Sequence, residues 1–225
     1  MAALTFLQLA ARTRQECGIA GDGPSSVTSQ TGIYGKIVNW VLAAHEEIQL
    51  KEQCWRFDWA QYTGVLAAKQ SHDPTIDFSI SARIWDTRDT GAYCYPTASG
   101  ANARTFLQWL SWEEFRALQP GGATGQPYFV AEAPDHTLRF YPTPTAGYTL
   151  VADYWRKPEV LADNEDTPRM PAQYHLAIVW RAVMMYCGHD ENTSLYQYAK
   201  QHYDRLISRM EDTELEPVEF AEPLA

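Results

Sequence analysis

One histidine-containing segment partly matches a zinc-binding helix. His45-Glu46-Glu47-Ile48-Gln49 begins like the H-E-x-x-H pattern, in which two imidazoles one helical turn apart bind the same ion. Gln49 stands where the second His is needed. We therefore interpret the segment as a solvated helix face and expect no metal site.

Two acidic segments could supply oxygen ligands to a cation. His189-Asp190-Glu191 offers three adjacent polar side chains, and Asp163-Asn164-Glu165-Asp166 has the composition of a calcium loop. The second segment lacks the Gly and the Glu that complete such a loop at its sixth and twelfth positions. We interpret the first as a solvated loop between helices and the second as a solvated turn.

The usual nucleophile and phosphate motifs are missing. Gly121–Gly125 lacks the Lys-Ser/Thr of a P-loop, and no G-x-S-x-G elbow is present. The scattered cysteines, Cys17, Cys54, Cys94 and Cys187, form no CxxC pair and are expected to be reduced and mostly buried. A Cys–His pair or a carboxylate pair assembled only in three dimensions stays open. We predict a protein that is not an enzyme and has no cofactor.

The charge of the chain limits its partners. The 225 residues carry a formal net charge of −10, which opposes binding to phosphate backbones and suits a passage through which DNA slides. No stretch approaches the roughly 18 consecutive apolar residues of a membrane-spanning helix, so we expect no membrane partner.

Aromatic residues make up 13% of the sequence, and nine tryptophans and tyrosines of its central part are candidates for stacking against a ligand. Aromatic rings on a sheet could stack against sugars, which makes a carbohydrate-binding module the alternative function. We favour packing in the core and at subunit interfaces. The nine are Trp85, Tyr93, Tyr95, Trp109, Trp112, Tyr128, Tyr141, Tyr148 and Trp155.

Helical signals mark the N-terminal part. Thr5 and Gln8 form a T-x-x-Q capping box, and Gly18 is a natural stop for the helix that follows. Apolar residues at helical spacing predict a second helix that begins near Ile33 and ends before Trp55. Residues 1–54 are therefore predicted to be helical.

The C-terminal part has similar signals. Pro171 suits the first turn of a helix running to Cys187, with Gly188 as its end. Asn192 or Thr193 can cap a last helix through Met210, packed antiparallel to the previous one. Residues 158–210 are predicted to complete a helical body with residues 1–54.

Residues 55–157 read as a β-rich insertion, because turn signals multiply there and helical periodicity fades. One short helix, opened by a Ser111–Glu114 capping box and closed by Pro120-Gly121-Gly122, interrupts it. The last three strands predict an antiparallel meander. The predicted strands are Gln61–Ala67, Ile76–Trp85, Ala92–Tyr95, Thr105–Leu110, Tyr128–Ala131, Thr137–Tyr141 and Tyr148–Trp155.

Residues 211–225 are predicted to form an acidic, extended tail. They include six acidic residues, two prolines and no basic residue. Leu215, Val218, Phe220 and Leu224 alternate with the acids, which a purely solvating tail would not need. We interpret these four residues as a docking arm for a partner's groove, with a frayed terminus as the alternative.

The order of these segments and several short sequence motifs within them resemble the head-to-tail adaptors of tailed bacteriophages, including tail-tubular-protein-A-like connectors. The resemblance covers nearly the whole chain, with Thr87–Gly125 only loosely matched. The residues that carry it are Thr5–Leu9, Cys17–Ile19, Gly21–Pro24, Ile37–Val41, Trp55–Phe57, Leu138–Pro142, Tyr154–Pro158, Leu161–Asp163 and Met170–His175.

The resemblance implies a structural subunit of the virion, located at the head–tail junction and made in the host cytoplasm. Such subunits form a homo-oligomeric ring, typically twelvefold, that joins the portal protein to tail or nozzle proteins. The ring continues the DNA channel without binding DNA specifically. The family's C-terminal segments commonly reach into the portal, which implies the same role for the docking arm. The expected fold class is α+β: a helical body, a β-rich antiparallel middle and an extended C-terminal tail.

Overall fold

The computed structural model describes residues 2–69, 71, 82–118 and 121–216. The chain forms two compact units. Met1–Asp58 and Pro158–Ala225 together make the helical unit, and Trp59–Lys157 make the sheet unit. Helices lie at both ends of the chain and antiparallel sheets in the middle, which confirms the α+β fold class.

The first two helices of the helical unit are α1 (Phe6–Glu16) and α2 (Gly32–Lys51). The predicted capping box opens α1: the Gln8 amide donates to the Thr5 hydroxyl over 3.3 Å, and the Thr5 amide donates to the Gln8 side chain over 3.0 Å. Because these bonds pair N–H groups that a helix start leaves unpaired, they fix where α1 begins.

The last two helices are α4 (His175–Asp190), preceded by a 3-10 turn over Ala172–Tyr174, and α5 (Thr193–Glu214). The prediction that α4 ends at Gly188 is wrong. The helix continues to Asp190 and ends where Glu191 adopts a left-handed conformation with φ 52°. The Asn192 side chain caps α5 by accepting the Leu195 N–H over 3.1 Å, as predicted.

The end of α5 corrects the predicted start of the tail. The helix runs to Glu214, so residues 211–214 form its last turn and are not extended. Apolar residues lie on both sides of this turn: Met210 before it is buried, and Leu215 after it packs against the core.

The central helix of this unit is α4, which packs against α1, α2 and α5. Burial almost all around it explains why its sequence is apolar on most faces. Large side chains from both parts of the chain share the core: Phe6, Leu9, Ile37, Ile48, Trp55, Met170 and Ile178.

The sheet unit is organised around its longest strand, β10 (Tyr148–Arg156). On one side β10 pairs antiparallel with β1 (Trp59–Leu66). It also pairs antiparallel with β3 (Ala92–Pro96) and with β2 (Ala82–Trp85), and β3 pairs with β4 (Thr105–Phe106). The residues of the predicted strand Ile76–Trp85 before Ala82 lie outside the described residues.

The smaller strands correct the predicted meander. β7 (Phe129–Glu132) and β8 (Leu138–Tyr141) form the predicted hairpin, but β10 pairs in the other sheet. The predicted strand Thr105–Leu110 is divided into β4 and β5 (Gln108–Trp109), and β5 pairs parallel with β7. A second parallel pair joins β6 (Thr124–Gly125) and β9 (Thr143–Pro144). Pairing between strands that are distant in the sequence is not predicted by the alternation of apolar and polar residues within each strand.

The short helix of this unit, α3 (Trp112–Leu118), starts at the predicted capping box: Ser111 and Glu114 exchange side-chain and backbone hydrogen bonds of 2.7–3.3 Å. Pro120, part of the predicted closing turn, lies outside the described residues. One face of β10, with Tyr148, Leu150 and Ala152, lies in a core shared with Trp85, Leu107, Leu138 and Phe140.

Two glycines provide a matched test of this packing. A Cβ at Gly91 would overlap the Asp86 carbonyl group, whereas a Cβ at Gly188, in α4, would meet nothing within 4 Å. We expect Gly91→Ala to lower the free energy of unfolding by about 2 kcal/mol or more, since overpacking typically costs ~1–3 kcal/mol.

Gly188→Ala should instead raise the free energy of unfolding by about 0.5–1 kcal/mol, the helix preference of Ala over Gly. Urea unfolding followed by circular dichroism measures both. Equal stabilities for the two variants would contradict the assigned packing around Gly91.

Candidate functional site

The partial zinc motif has a different environment from the one predicted. His45 and Gln49 are almost completely buried, so the interpretation as a solvated face is wrong for these two residues. The Gln49 amide nitrogen donates to His45 Nδ1 over 3.3 Å and to the Glu159 carbonyl over 3.2 Å. The Gln49 amide oxygen accepts the Glu159 N–H over 2.9 Å. A side chain of α2 thus satisfies both backbone groups of a residue 110 positions later.

The Glu159 carboxylate is the centre of this cluster. It lies 3.4 Å from His45 Nε2, accepts the Arg169 N–H over 2.6 Å and pairs with Arg169 Nε over 3.3 Å. Arg169 also pairs with Asp58 over 3.0 Å. We call His45, Gln49, Asp58, Glu159 and Arg169 the polar clamp.

The electrostatics of the clamp favour a charged Glu159. Burial alone would raise the pKa of Glu159, but the neighbouring His45 ring, the hydrogen bond from the Arg169 N–H and the Arg169 charge leave that pKa below its usual value. The polar side chains of the clamp contact one another and bond backbone groups of residues 159 and 169, as expected for a cluster that holds the backbone in place. Within the described ranges no three His, Cys, Asp or Glu side chains are arranged to hold a metal ion.

The clamp holds a segment that we call the strap, residues 158–171. The acidic residues Asp163–Asp166 form a tight turn within it. The Asp166 carboxylate accepts the N–H groups of Ala162 and Asp163 over 2.6 and 2.8 Å, and the Asn164 side chain accepts the Val27 N–H over 2.7 Å. Asp163 and Glu165 are exposed, in agreement with the solvated turn that was predicted.

Further bonds join the strap to α1. The carbonyls of Asp166 and Asn164 accept the N–H groups of Phe6 and Leu7 over 2.7 and 3.2 Å. His175 Nε2 donates to the Met170 carbonyl over 2.8 Å while Nδ1 accepts the Leu4 N–H over 3.0 Å. Burial lowers the pKa of His175, which favours this neutral, bridging ring.

The other candidate chemical groups lie within helices and strands or are buried. His189 and Asp190 belong to the last turn of α4 and not to a loop, which corrects that prediction. Burial raises the pKa of Cys17 to about 12 and that of Cys94 to about 11, so neither thiol is a ready nucleophile. Gly125 lies in β6, and no helix follows it as a phosphate loop would require.

The start of the predicted docking arm is firmly held. Leu215 is half-buried against the helical core, while Val218, Phe220 and Leu224 lie outside the described residues. Glu211 pairs with Lys51 over 2.6 Å, which raises the pKa of Lys51, and Arg56 donates to the Thr213 carbonyl over 3.1 Å. The point at which α5 ends is therefore fixed on the helical unit.

A surface groove of about 460 Å³ lies beside this point, lined by Gln173, Tyr174, Leu206, Arg209, Asp212 and Thr213. The Tyr174 hydroxyl bonds the Arg209 carbonyl over 3.2 Å and the Thr213 hydroxyl over 2.8 Å. Two of its polar side chains, those of Tyr174 and Thr213, thus tie α5 to the 3-10 turn before α4.

The nine central aromatics are mostly covered. Trp85, Tyr148 and Trp155 are buried, Tyr128 is exposed, and the other five are intermediate. A sugar-binding platform needs several exposed rings on one surface. This distribution favours packing, as predicted.

Comparison with known proteins assigns the chain to a family. The family model described as SU10 adaptor protein matches residues 4–220. The chain belongs to the SU10 adaptor protein family. None of the curated proteins compared matches it. Membership confirms the predicted resemblance to phage adaptors and gives this adaptor a structural role in the phage. No helix in the described part of the adaptor is long and apolar enough to cross a membrane.

The polar clamp is the part of the site that sequence reasoning missed. Polar residues on a helix predict a solvated face, and nothing local shows that Glu159 covers His45 and Gln49. One signal was present in the sequence: His45 and Gln49 are four residues apart and share a helix face with Val41 and Ile48 at neighbouring core positions.

The pKa of Glu159 predicts a pH dependence. Since the folded pKa lies below the ordinary 4.5, the ionised carboxylate stabilises the fold fully above that pH and loses this effect as the pH falls through the folded pKa. We expect Glu159→Gln to lower the free energy of unfolding at pH 7 by about 1–3 kcal/mol. The difference from the unaltered protein should shrink below pH 4.5.

Glu165→Gln is the matched control, because Glu165 is an exposed carboxylate on the same strap. Its free energy of unfolding at pH 7 should stay within about 0.5 kcal/mol of the unaltered value. Denaturant unfolding at several pH values measures both variants. A Glu159→Gln variant as stable as Glu165→Gln at pH 7 would contradict the role of the clamp.

Proposed function

We propose that this adaptor forms a ring, twelvefold as in related connectors, that joins the portal protein to tail or nozzle proteins and continues the DNA channel. The match to the SU10 adaptor protein family over residues 4–220 carries the proposal, because it covers both the helical unit and the sheet unit. On this proposal the protein is made in the host cytoplasm and acts at the head–tail junction without catalysis.

The net charge supports passage of DNA. At −10 per chain, ring subunits present a field that repels phosphates, so DNA moves through without specific binding. The same charge makes subunits repel one another, so each contact must be apolar or pair opposite charges. The ring needs heterologous contacts that close on themselves.

We propose that Leu215, Val218, Phe220 and Leu224 form the portal-docking arm. Leu215 packs against the helical core, and the ion pair of Glu211 with Lys51 fixes the turn before it. A fixed base lowers the entropy lost when an extended segment enters a groove. The apolar residues beyond Leu215 would enter the groove, and the acids between them would remain at its rim.

Mixing the protein with portal rings of candidate phages, followed by electron microscopy, tests the adaptor function. We expect a second ring layer on the portal and a continuous channel. A protein that joins no portal would overturn the adaptor proposal.

A variant that ends at Glu216 tests the arm and should bind the portal at least 10-fold more weakly. Replacement of Val218, Phe220 and Leu224 by Ser should have the same effect, and replacement of Glu219 and Glu222 by Gln is the matched control with a small effect. If all these variants bind like the full chain, the arm proposal fails and the ring proposal stands.

A further inference from the structure

The face of the five-stranded sheet opposite the core carries apolar side chains that are buried at its centre, where Val151 is 4% exposed, and exposed on its edge strands. Register places Thr63, Val151, Tyr93 and Phe106 in one row across β1, β10, β3 and β4. None of the four belongs to either core cluster. We call this side the outer sheet face.

Large apolar side chains are exposed on the outer sheet face. Trp59 is 45% exposed, Val65 58% and Phe106 45%. They account for three of the five large hydrophobic residues that are exposed among the described residues of the sheet unit; the other two are Leu118 and Tyr128. Exposed apolar side chains on the edge strands of a sheet are candidate contacts for another protein.

One cation lies on this face. The Arg104 guanidinium lies 5.7 Å from the centre of the Phe106 ring and 5.9 Å from that of Tyr93. Within the described ranges Arg104 has no carboxylate at ion-pair distance. The acid of the same face, Asp153, accepts a hydrogen bond from Gln61 over 2.9 Å. A guanidinium held over aromatic rings can still donate to an incoming carboxylate.

The strap has the complementary features. Val160 is 82% exposed, although it lies between Glu159, held by the polar clamp, and Leu161, which is buried in the helical core. Asp163 and Glu165 are exposed further along the strap, and no basic residue lies between positions 158 and 168. The strap thus presents an apolar side chain on a rigid backbone, with carboxylates nearby.

We propose that the strap of one subunit docks on the outer sheet face of the next, with Val160 against Val65 on the edge strand β1. In this contact Asp163 or Glu165 pairs with Arg104. This proposal rests on the proposed ring and identifies the contact between its neighbouring subunits.

A second copy is the occupant that the charges favour. Two chains of −10 repel, and these two surfaces pair an apolar face that carries Arg104 with an acidic, apolar strap. Each copy carries one strap and one outer sheet face. The contact is therefore heterologous and can repeat around a ring.

Paired cysteines test the contact directly. Chains carrying Val160→Cys are mixed with chains carrying Val65→Cys, both alone at high concentration and on the portal, and treated with a short thiol crosslinker. We expect dimers joined between the two kinds of chain, and none above the background of the unaltered protein from either kind alone. Leu118→Cys, in α3, replaces Val65→Cys as the control and should give no crosslinked dimer.

A charge reversal tests the ion pair in full chains. Arg104→Glu should raise the concentration needed for ring assembly at least 10-fold, and Val160→Asp should do the same. Adding Asp163→Arg and Glu165→Arg to Arg104→Glu should restore assembly to within about 3-fold. Circular dichroism and the unfolding midpoint check that each variant is folded.

The outcomes separate the two proposals. Rings that form normally with Val160→Asp and Arg104→Glu, with no crosslink between Val160→Cys and Val65→Cys chains, would overturn this contact while the ring stands. If the unaltered protein forms no ring on any portal, the proposed function fails. The crosslinking reaction on the free protein then still decides the contact, and its absence overturns it.

Discussion

The helical unit depends on the attachment of the strap to α2. The Gln49 side chain satisfies both backbone groups of Glu159, and the Glu159 carboxylate is held by the Arg169 N–H and lies beside His45. These bonds join two parts of the chain separated by the whole sheet unit. Without them, the buried Gln49 side chain would lose its bonds to the Glu159 backbone, at a cost of about 1–3 kcal/mol.

Local features of the sequence predicted much of the fold. The capping residues Thr5, Ser111 and Asn192 mark real helix starts, because a cap depends on neighbours within three residues. The position of β10 was also predicted, but its partners were not. Its alternation is the same whether it pairs with a hairpin neighbour or with β1, which begins about 90 positions earlier. For the same reason the sequence predicted the surroundings of the candidate residues poorly: His45 and Gln49 are buried by a segment that no local pattern identifies.

The two units differ in where their apolar side chains lie. The helical unit places its apolar residues in one shared core and presents polar side chains around its long helices. The sheet unit has its core on one side of β10, while aromatic and aliphatic residues remain partly exposed on the opposite side. A structural subunit of a virion needs this combination, since a stable body must also present surfaces that become buried only during assembly.

The separation between Gln49 and Glu159 also has a consequence for synthesis on the ribosome. At about 5–20 residues per second, the 110 positions between them take roughly 5–20 s to translate. During that interval α1 and α2 have neither the strap nor α4 to cover their apolar sides. The nascent N-terminal helices therefore need a chaperone or early pairing with each other. The strand β1 is likewise translated well before its partner β10, by nearly the same interval. The adaptor is expected to reach its folded form only after most of the chain has been made.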